Sequence, residues 1–264
     1  QSITDPELVL NGDFEELGSE LVTNGGFSNL DNWSVNGGDY ATIVDGALNS
    51  NNTENGNWHT ENISQNISFV NGKTYKISFK AKNISGDQNL RLTQNGYVIF
   101  TYNITSSFVD YEVYYTANAD NGSIRIFCND AIGEFQIDNI SVQQVNVDSE
   151  GNDIWSLSAS GDSSALITDK LTLTCDDGDF VGASQSYSFV DGNTYRVSFD
   201  LTGDNQSKTF TFRDNGSALG SLTEDISLDF VGTETKTFIF TANANSDSIY
   251  LKRLSAGTYS WSID

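Results

Sequence analysis

One stretch of this chain occurs twice. Residues Ser64 to Phe79 return 120 positions later as Ser184 to Phe199, keeping Ser-Gln at the start, Phe-Val-Asn/Asp-Gly in the middle and Thr-Tyr-x-x-Ser-Phe at the end. Further on, Thr116-Ala117-Asn118-Ala119 returns as Thr241-Ala242-Asn243-Ala244, five positions further out of step. Near each end, Phe135-Gln136-Ile137-Asp138 is matched by Trp261-Ser262-Ile263-Asp264. Ordered self-similarity on this scale requires two homologous domains, and a hairpin loop of altered length accounts for the slip. The boundaries read as an arm over 1–20, a first domain over 21–145, a polar linker over 146–152 and a second domain over 153–264. After Asp138 the first copy continues through Asn139 to Val145 as an alternating strand, and the second copy has no counterpart. The expectation is a second domain truncated before its closing strand, with further chain or another molecule supplying that strand.

Within each copy the period is two. Thr74 to Lys80 and Ser123 to Phe127 alternate apolar and polar residues, as half-buried strands do. Turn pairs punctuate the strands: Asn71-Gly72, Asn95-Gly96, Asn121-Gly122, Asp191-Gly192 and Asn215-Gly216. The fold class is therefore all-β, as two tandem antiparallel β-sandwiches. Aliphatic residues are few, but aromatic residues make up 12% of the chain and supply large buried area. The lead-in is itself duplicated: Leu8 to Glu15 is echoed by Leu21 to Ser28.

The formal net charge of −23, with only 13 Lys and Arg, excludes nucleic acid and anionic lipid headgroups as partners of the whole surface. Divalent cations suit it better, because hard cations take oxygen ligands. No stretch approaches the roughly 20 apolar residues of a membrane span. Cys128 and Cys175 fall in different copies, either as two buried small side chains or as an interdomain pair. Sequons at Asn62, Asn66, Asn103 and Asn139 are expected by chance in so Asn-rich a chain. The single His59 excludes a multi-histidine metal centre, and no nucleophile elbow, phosphate loop or dinucleotide fingerprint occurs. The expectation is a protein that is not an enzyme.

The order of motifs resembles a known family. Asn24-Gly25-Gly26-Phe27, then Trp33, then Gly72 to Phe79, and finally Ile137 to Val142 are similar to the carbohydrate-binding modules attached to xylanases and cellulases. That resemblance implies a jelly-roll sandwich with a concave sheet face that binds glycan chains. It implies that Trp58 stacks on sugar and that Glu61 receives hydroxyls, with Phe100 and Tyr102 where the family places a second ring. The competing reading makes Trp58 a core residue. Gly178 and Val181 stand at the positions of Trp58 and Glu61 in the second copy, with Phe180 a substitute ring. The family also holds a structural calcium ion between lead-in and closing strand, which points to Asp138, its repeat Asp264, and Glu15. Ser28 occupies the acidic position of the nearer lead-in. Similar domains sit on bacterial surface proteins and phage virion proteins. The expected partner is therefore polysaccharide or cell-surface glycan, met extracellularly or at a cell or virion surface. The alternative is a structural or adhesive virion or filament component that self-associates or binds other particle proteins.

Overall fold

A computed structural model describes residues 16–36, 41–52, 62–86, 89–128, 133–147, 153–161, 163–168, 170–175, 181–204, 209–217, 219–253 and 259–263. The chain divides into two compact units, Leu17–Val145 and Gln1–Glu16 with Asn146–Asp264. In the first, one sheet runs β1 (Ser34–Asn36), β4 (Asn62–Asn66), β9 (Ser123–Cys128), β6 (Asn89–Gln94), β7 (Tyr97–Asn103). The other runs β2 (Ala41–Val44), β3 (Ala47–Asn52), β10 (Gly133–Gln144), β5 (Thr74–Gly86), β8 (Val109–Thr116). The second unit repeats this order strand for strand. Its first sheet is β11 (Ser156–Ala159), β14 (Val181–Ser186), β19 (Ser248–Arg253), β16 (Thr209–Arg213), β17 (Thr223–Ser227). Its second is β12 (Ser164–Ile167), β13 (Leu171–Cys175), β20 (Tyr259–Ile263), β15 (Thr194–Asp204), β18 (Val231–Thr241). The fold is two antiparallel sandwiches, as the repeat requires.

The alternation in β5 places Tyr75, Ile77, Phe79 and Ala81 in the core while Lys76, Ser78 and Lys80 face outward. Asn95-Gly96 and Asn121-Gly122 take positive φ at both positions, as the sequence predicts for turns of this kind. Asp45-Gly46 does the same between β2 and β3 and escaped the reading of the sequence.

The repeated segment builds one corner in each unit. The Tyr75 hydroxyl accepts a hydrogen bond from the Val70 amide at 2.7 Å, and Tyr195 accepts one from Val190 at 3.0 Å. Phe69 and Phe189 each meet that tyrosine ring edge-on at 4.9 Å. Gly72 and Gly192 turn the chain at φ +79° and +82°, and their amides donate to Ala117 and Ala242, the alanines of the second repeated motif.

Two domain boundaries differ from those read in the sequence. Residues 17–20, expected within the arm, belong to the first sandwich: the Gly18 amide donates to the Gln144 carbonyl, and the Glu20 carboxylate receives the Val22 and Val142 amides at 2.8 and 2.9 Å. Asn146 and Val147, expected in the linker, are buried, and Asn146 exchanges hydrogen bonds with the Trp155 backbone. Lead-in and closing strand meet where the Ile140 amide donates to the Gly25 carbonyl. A Cβ on Gly25 would lie 1.9 Å from the Ile140 oxygen, so only glycine fits there. The closing strands differ between the units. β10 pairs with β5 from Gly133 to Gln144, whereas among the described residues β20 pairs with β15 at Leu201 and Thr202. Tyr195, Val197 and Phe199 are half-buried, where their counterparts Tyr75, Ile77 and Phe79 are buried.

The units also differ at a buried polar keystone. In the first, Gln94 donates to the Ala119 and Asn121 carbonyls and accepts the Tyr115 hydroxyl at 2.7 Å. In the second, Asp214 takes that place, fully buried. It accepts the Ser221 amide and hydroxyl, the Leu222 amide at 3.0 Å and the Ser246 hydroxyl at 2.5 Å. Burial raises its pKa, but the bonds from Ser246, Leu222 and Ser221 outweigh that and hold it below the usual 3.8. A depressed folded pKa adds stability that is fully present above the unfolded value and is lost as pH falls through the folded one. Asp214→Asn should therefore cost the second unit about 3 kcal/mol at neutral pH. Urea melts at stepped pH should show the gap to wild type closing below about pH 4, whereas a gap constant with pH would contradict this account.

Candidate functional site

Leu90 and Leu92 of β6 and Ile124 and Ile126 of β9 point into the core. Arg91 and Arg125 lie between them and so stand on the opposite, outward face of the sheet β1-β4-β9-β6-β7. The ladder sets their neighbours: Arg91 faces Phe127 of β9, and Arg125 faces Thr93 of β6 and Ser64 of β4. The Arg91 Nε donates to the Thr101 Oγ1 at 3.2 Å. Asn36 donates to the Asn62 side chain at 3.1 Å on the same face. Asn62, Ser64, Thr93 and Phe127 are buried while both arginines are half-buried. Phe127 is 2% exposed yet stands outside the core cluster, which makes it part of this outward floor. What the face leaves accessible is the two guanidiniums, the exposed Asn36 amide and the half-buried Thr101 hydroxyl, groups able to hydrogen-bond a hydroxyl-rich ligand.

Residues 6–131 of the chain match the family described as carbohydrate binding domain. The first sandwich is similar to that family over most of its length. No curated protein matches the chain. Among solved structures, a CBM4 structure is 25% identical with a TM-score of 0.36, covering 52% of this chain and 99% of its own. The CBM22-1–CBM22-2 tandem domain of Paenibacillus barcinonensis Xyn10C is 14% identical with a TM-score of 0.39, covering 94% and 96%. The family 11 module of the Clostridium thermocellum cellulase Lic26A-Cel5E is 20% identical with a TM-score of 0.32, covering 47% and 94%.

Of the residues singled out in the sequence of the first sandwich, Trp58 and Glu61 lie outside the described residues, in the segment that leads into β4. Phe100 and Tyr102 are described and stand on the core side of β7, opposite Leu92 and Leu90. Phe100 meets Phe79 edge-on at 5.1 Å and packs against Tyr111 at 5.5 Å. Tyr102 stacks on Phe100 at 5.5 Å and is 63% exposed, so it ends the aromatic row at the flank of the sandwich. The structure therefore does not bring these two rings onto the face that carries Arg91. Of the expected calcium ligands, Glu15 and Asp264 lie outside the described residues. Asp138 is half-buried, accepts the Asn139 amide at 2.8 Å and pairs in register with Lys80. Among the described residues no group of three His, Cys, Asp or Glu side chains could hold a metal ion. The side chains of Cys128 and Cys175 are likewise outside the description, as are Gly178 and Phe180.

Arg91, Arg125 and Phe127 escaped the sequence reading. The signal was present as an arginine between two buried isoleucines, in a chain with only 13 basic residues. In the second unit, Tyr250 and Lys252 replace Arg125 and Phe127, while Thr211 and Arg213 replace Arg91 and Thr93. Burial pushes the Tyr250 hydroxyl pKa up, against the pull of Arg213 and a hydrogen bond with Ser158. The Arg213 Nε is buried with no hydrogen-bond partner among the described residues.

The placement of the two β7 rings separates their roles. Phe100→Ala should cost the first unit about 2–3 kcal/mol through the cavity it leaves, and Tyr102→Ala less than about 1 kcal/mol. Urea denaturation of both variants checks this, and equal losses would place both rings in the core.

Proposed function

We propose that this chain is a tandem, non-catalytic binder of polysaccharide, and that the first sandwich holds the glycan across the outward face of the sheet β1-β4-β9-β6-β7. The observation carrying this reading is the pair of half-buried arginines, Arg91 and Arg125, on the outward face of that sheet, beside exposed Asn36 and half-buried Thr101. Glycan hydroxyls both donate and accept, and each good hydrogen bond contributes on the order of 1 kcal/mol, so several on one face are needed for useful affinity. Trp58 and Glu61 enter as the stacking ring and hydroxyl acceptor that the family resemblance suggests. The match of residues 6–131 to a carbohydrate-binding family supports polysaccharide as the partner class. The site of action in this reading is the outside of a cell or particle, where such polymers are met. A structural calcium ion would bind through Asp138. A melting temperature unmoved by calcium or chelator removes it from the reading.

A second reading rests on the edge strand β18, where Val231 is 80% and Ile239 69% exposed. Assembly of copies through that edge would make the fold a building block of a larger particle. Sedimentation across a concentration range distinguishes the two, since the binding reading needs no association.

Affinity electrophoresis of the full chain through gels holding xylan, β-glucan, cellulose derivatives or pectins tests the main proposal. Retardation is expected in at least one gel, Trp58→Ala should weaken it roughly tenfold, and no reducing ends should be released from any polymer. A chain that migrates identically in every gel is not a glycan binder.

A further inference from the structure

The chain carries 36 acidic and 13 basic residues, so a basic side chain on its surface has carboxylates available on most sides. Several lysines use them: Lys76 pairs with Glu112 at 2.9 Å, Lys80 with Asp110 at 3.5 Å and Lys236 with Glu234 at 2.6 Å. Arg91 and Arg125 do not. Neither forms an ion pair with any described residue, and among the described residues their one side-chain hydrogen bond runs from the Arg91 Nε to Thr101. No carboxylate stands among the described outward residues of their sheet, where Ser, Thr and Asn predominate.

The two arginines occupy adjacent inner strands and are diagonal neighbours in register. Arg125 is opposite Thr93, and Arg91 is two residues from Thr93 along β6. Such a diagonal separates the backbones by about 7–8 Å, within easy reach of one anionic group held between two long side chains. Binding through Thr101 leaves both terminal nitrogens of Arg91 for the planar fork that matches carboxylate or sulfate oxygens. Half-burial of both side chains shields that contact from screening. A chain of net charge −23 repels polyanions at long range, so two guanidiniums collected on one face, with no carboxylate partner among the described residues, run against the rest of the surface.

We infer that the polysaccharide taken by the first sandwich is acidic, and that Arg91 and Arg125 grip an anionic substituent, carboxylate or sulfate, on a sugar ring. This rests on the glycan-binding reading and names its ligand class. Selection would come from the fork of two guanidiniums, and the remaining hydroxyls would meet Asn36 and Thr101.

The test uses the full chain and matched pairs of polymers that differ only in charge. These are polygalacturonate against its methyl ester, glucuronoxylan against xylan, and dextran sulfate against dextran, with affinity measured by calorimetry at low and high salt. Tighter binding of at least one acidic member by roughly tenfold is expected, falling by a similar factor in R91Q and R125Q and from about 0.05 to 0.5 M salt. Preference for a carboxylated member identifies a uronate, and preference for the sulfated member identifies a sulfate ester. R91K and R125K, which keep the charge and lose the fork, should recover only part of the loss, and unchanged melting temperatures verify that the variants fold. Acidic and neutral members binding within twofold of each other would overturn the inference while leaving the glycan reading standing. A preference untouched by the glutamine variants would overturn it too. Absence of binding to every polymer would bring down the glycan reading and this one together.

Discussion

A hydroxyl held against a backbone amide fixes both halves of this molecule. Tyr75 reaches back five residues to Val70, and Tyr195 does the same to Val190. The bond spans the turn between a loop and a long inner strand of its sheet. It closes the turn over a phenylalanine ring and brings the Ala117 or Ala242 segment alongside. Because β5 and β15 start from this corner, the phase of every later residue on those strands is set there. A one-residue slip would turn Ile77 and Phe79 outward and Lys76 and Lys80 inward. Preservation of Phe, Gly, Thr and Tyr between copies follows from that requirement.

The outward faces are under no such constraint. Between Leu92 and Phe212, or Ile126 and Leu251, the inward side chains remain apolar, so the core is conserved in kind. The intervening positions change from Arg91 to Thr211 and from Arg125 to Tyr250. Strand alternation thus divides each sheet into a side that specifies the fold and a side free to acquire chemistry. The same logic explains the buried polar position in the hairpin, filled by neutral Gln94 in one unit and ionised Asp214 in the other. Both gather backbone groups that would otherwise be buried without partners.

Much of the architecture was legible in the residues. The all-β class, two copies and the inward set of β5 follow from period-two patterning and from the repeat, because burial imposes those signals locally. Boundaries were less legible. Residues 17–20 look like any polar lead-in until the Glu20 carboxylate is seen to bond Val142, more than a hundred residues distant. The candidate site was the least legible part. Aromatic residues drew attention to Phe100 and Tyr102, but their phase relative to Leu90 and Leu92 puts them on the core side of an edge strand, and a bulge after Leu92 blurs that phase in the sequence. Arg125 stood within a correctly read strand. That neither arginine has a carboxylate partner among the described residues is a property of three-dimensional neighbourhood, which no spacing along a chain reveals.

The twinned corner has an implication for how the polypeptide is made. Two stretches so similar compete for each other's complements during synthesis, and Thr116 to Ala119 could latch onto the later copy as readily as onto its own. The opposing hairpins reduce that ambiguity. One is organised by a carboxamide that donates and accepts, and the other by a carboxylate that only accepts. A crossed pairing would set the Asp214 carboxylate against the Ala119 and Asn121 carbonyls, acceptor facing acceptor, so the divergence of Gln94 and Asp214 disfavours it.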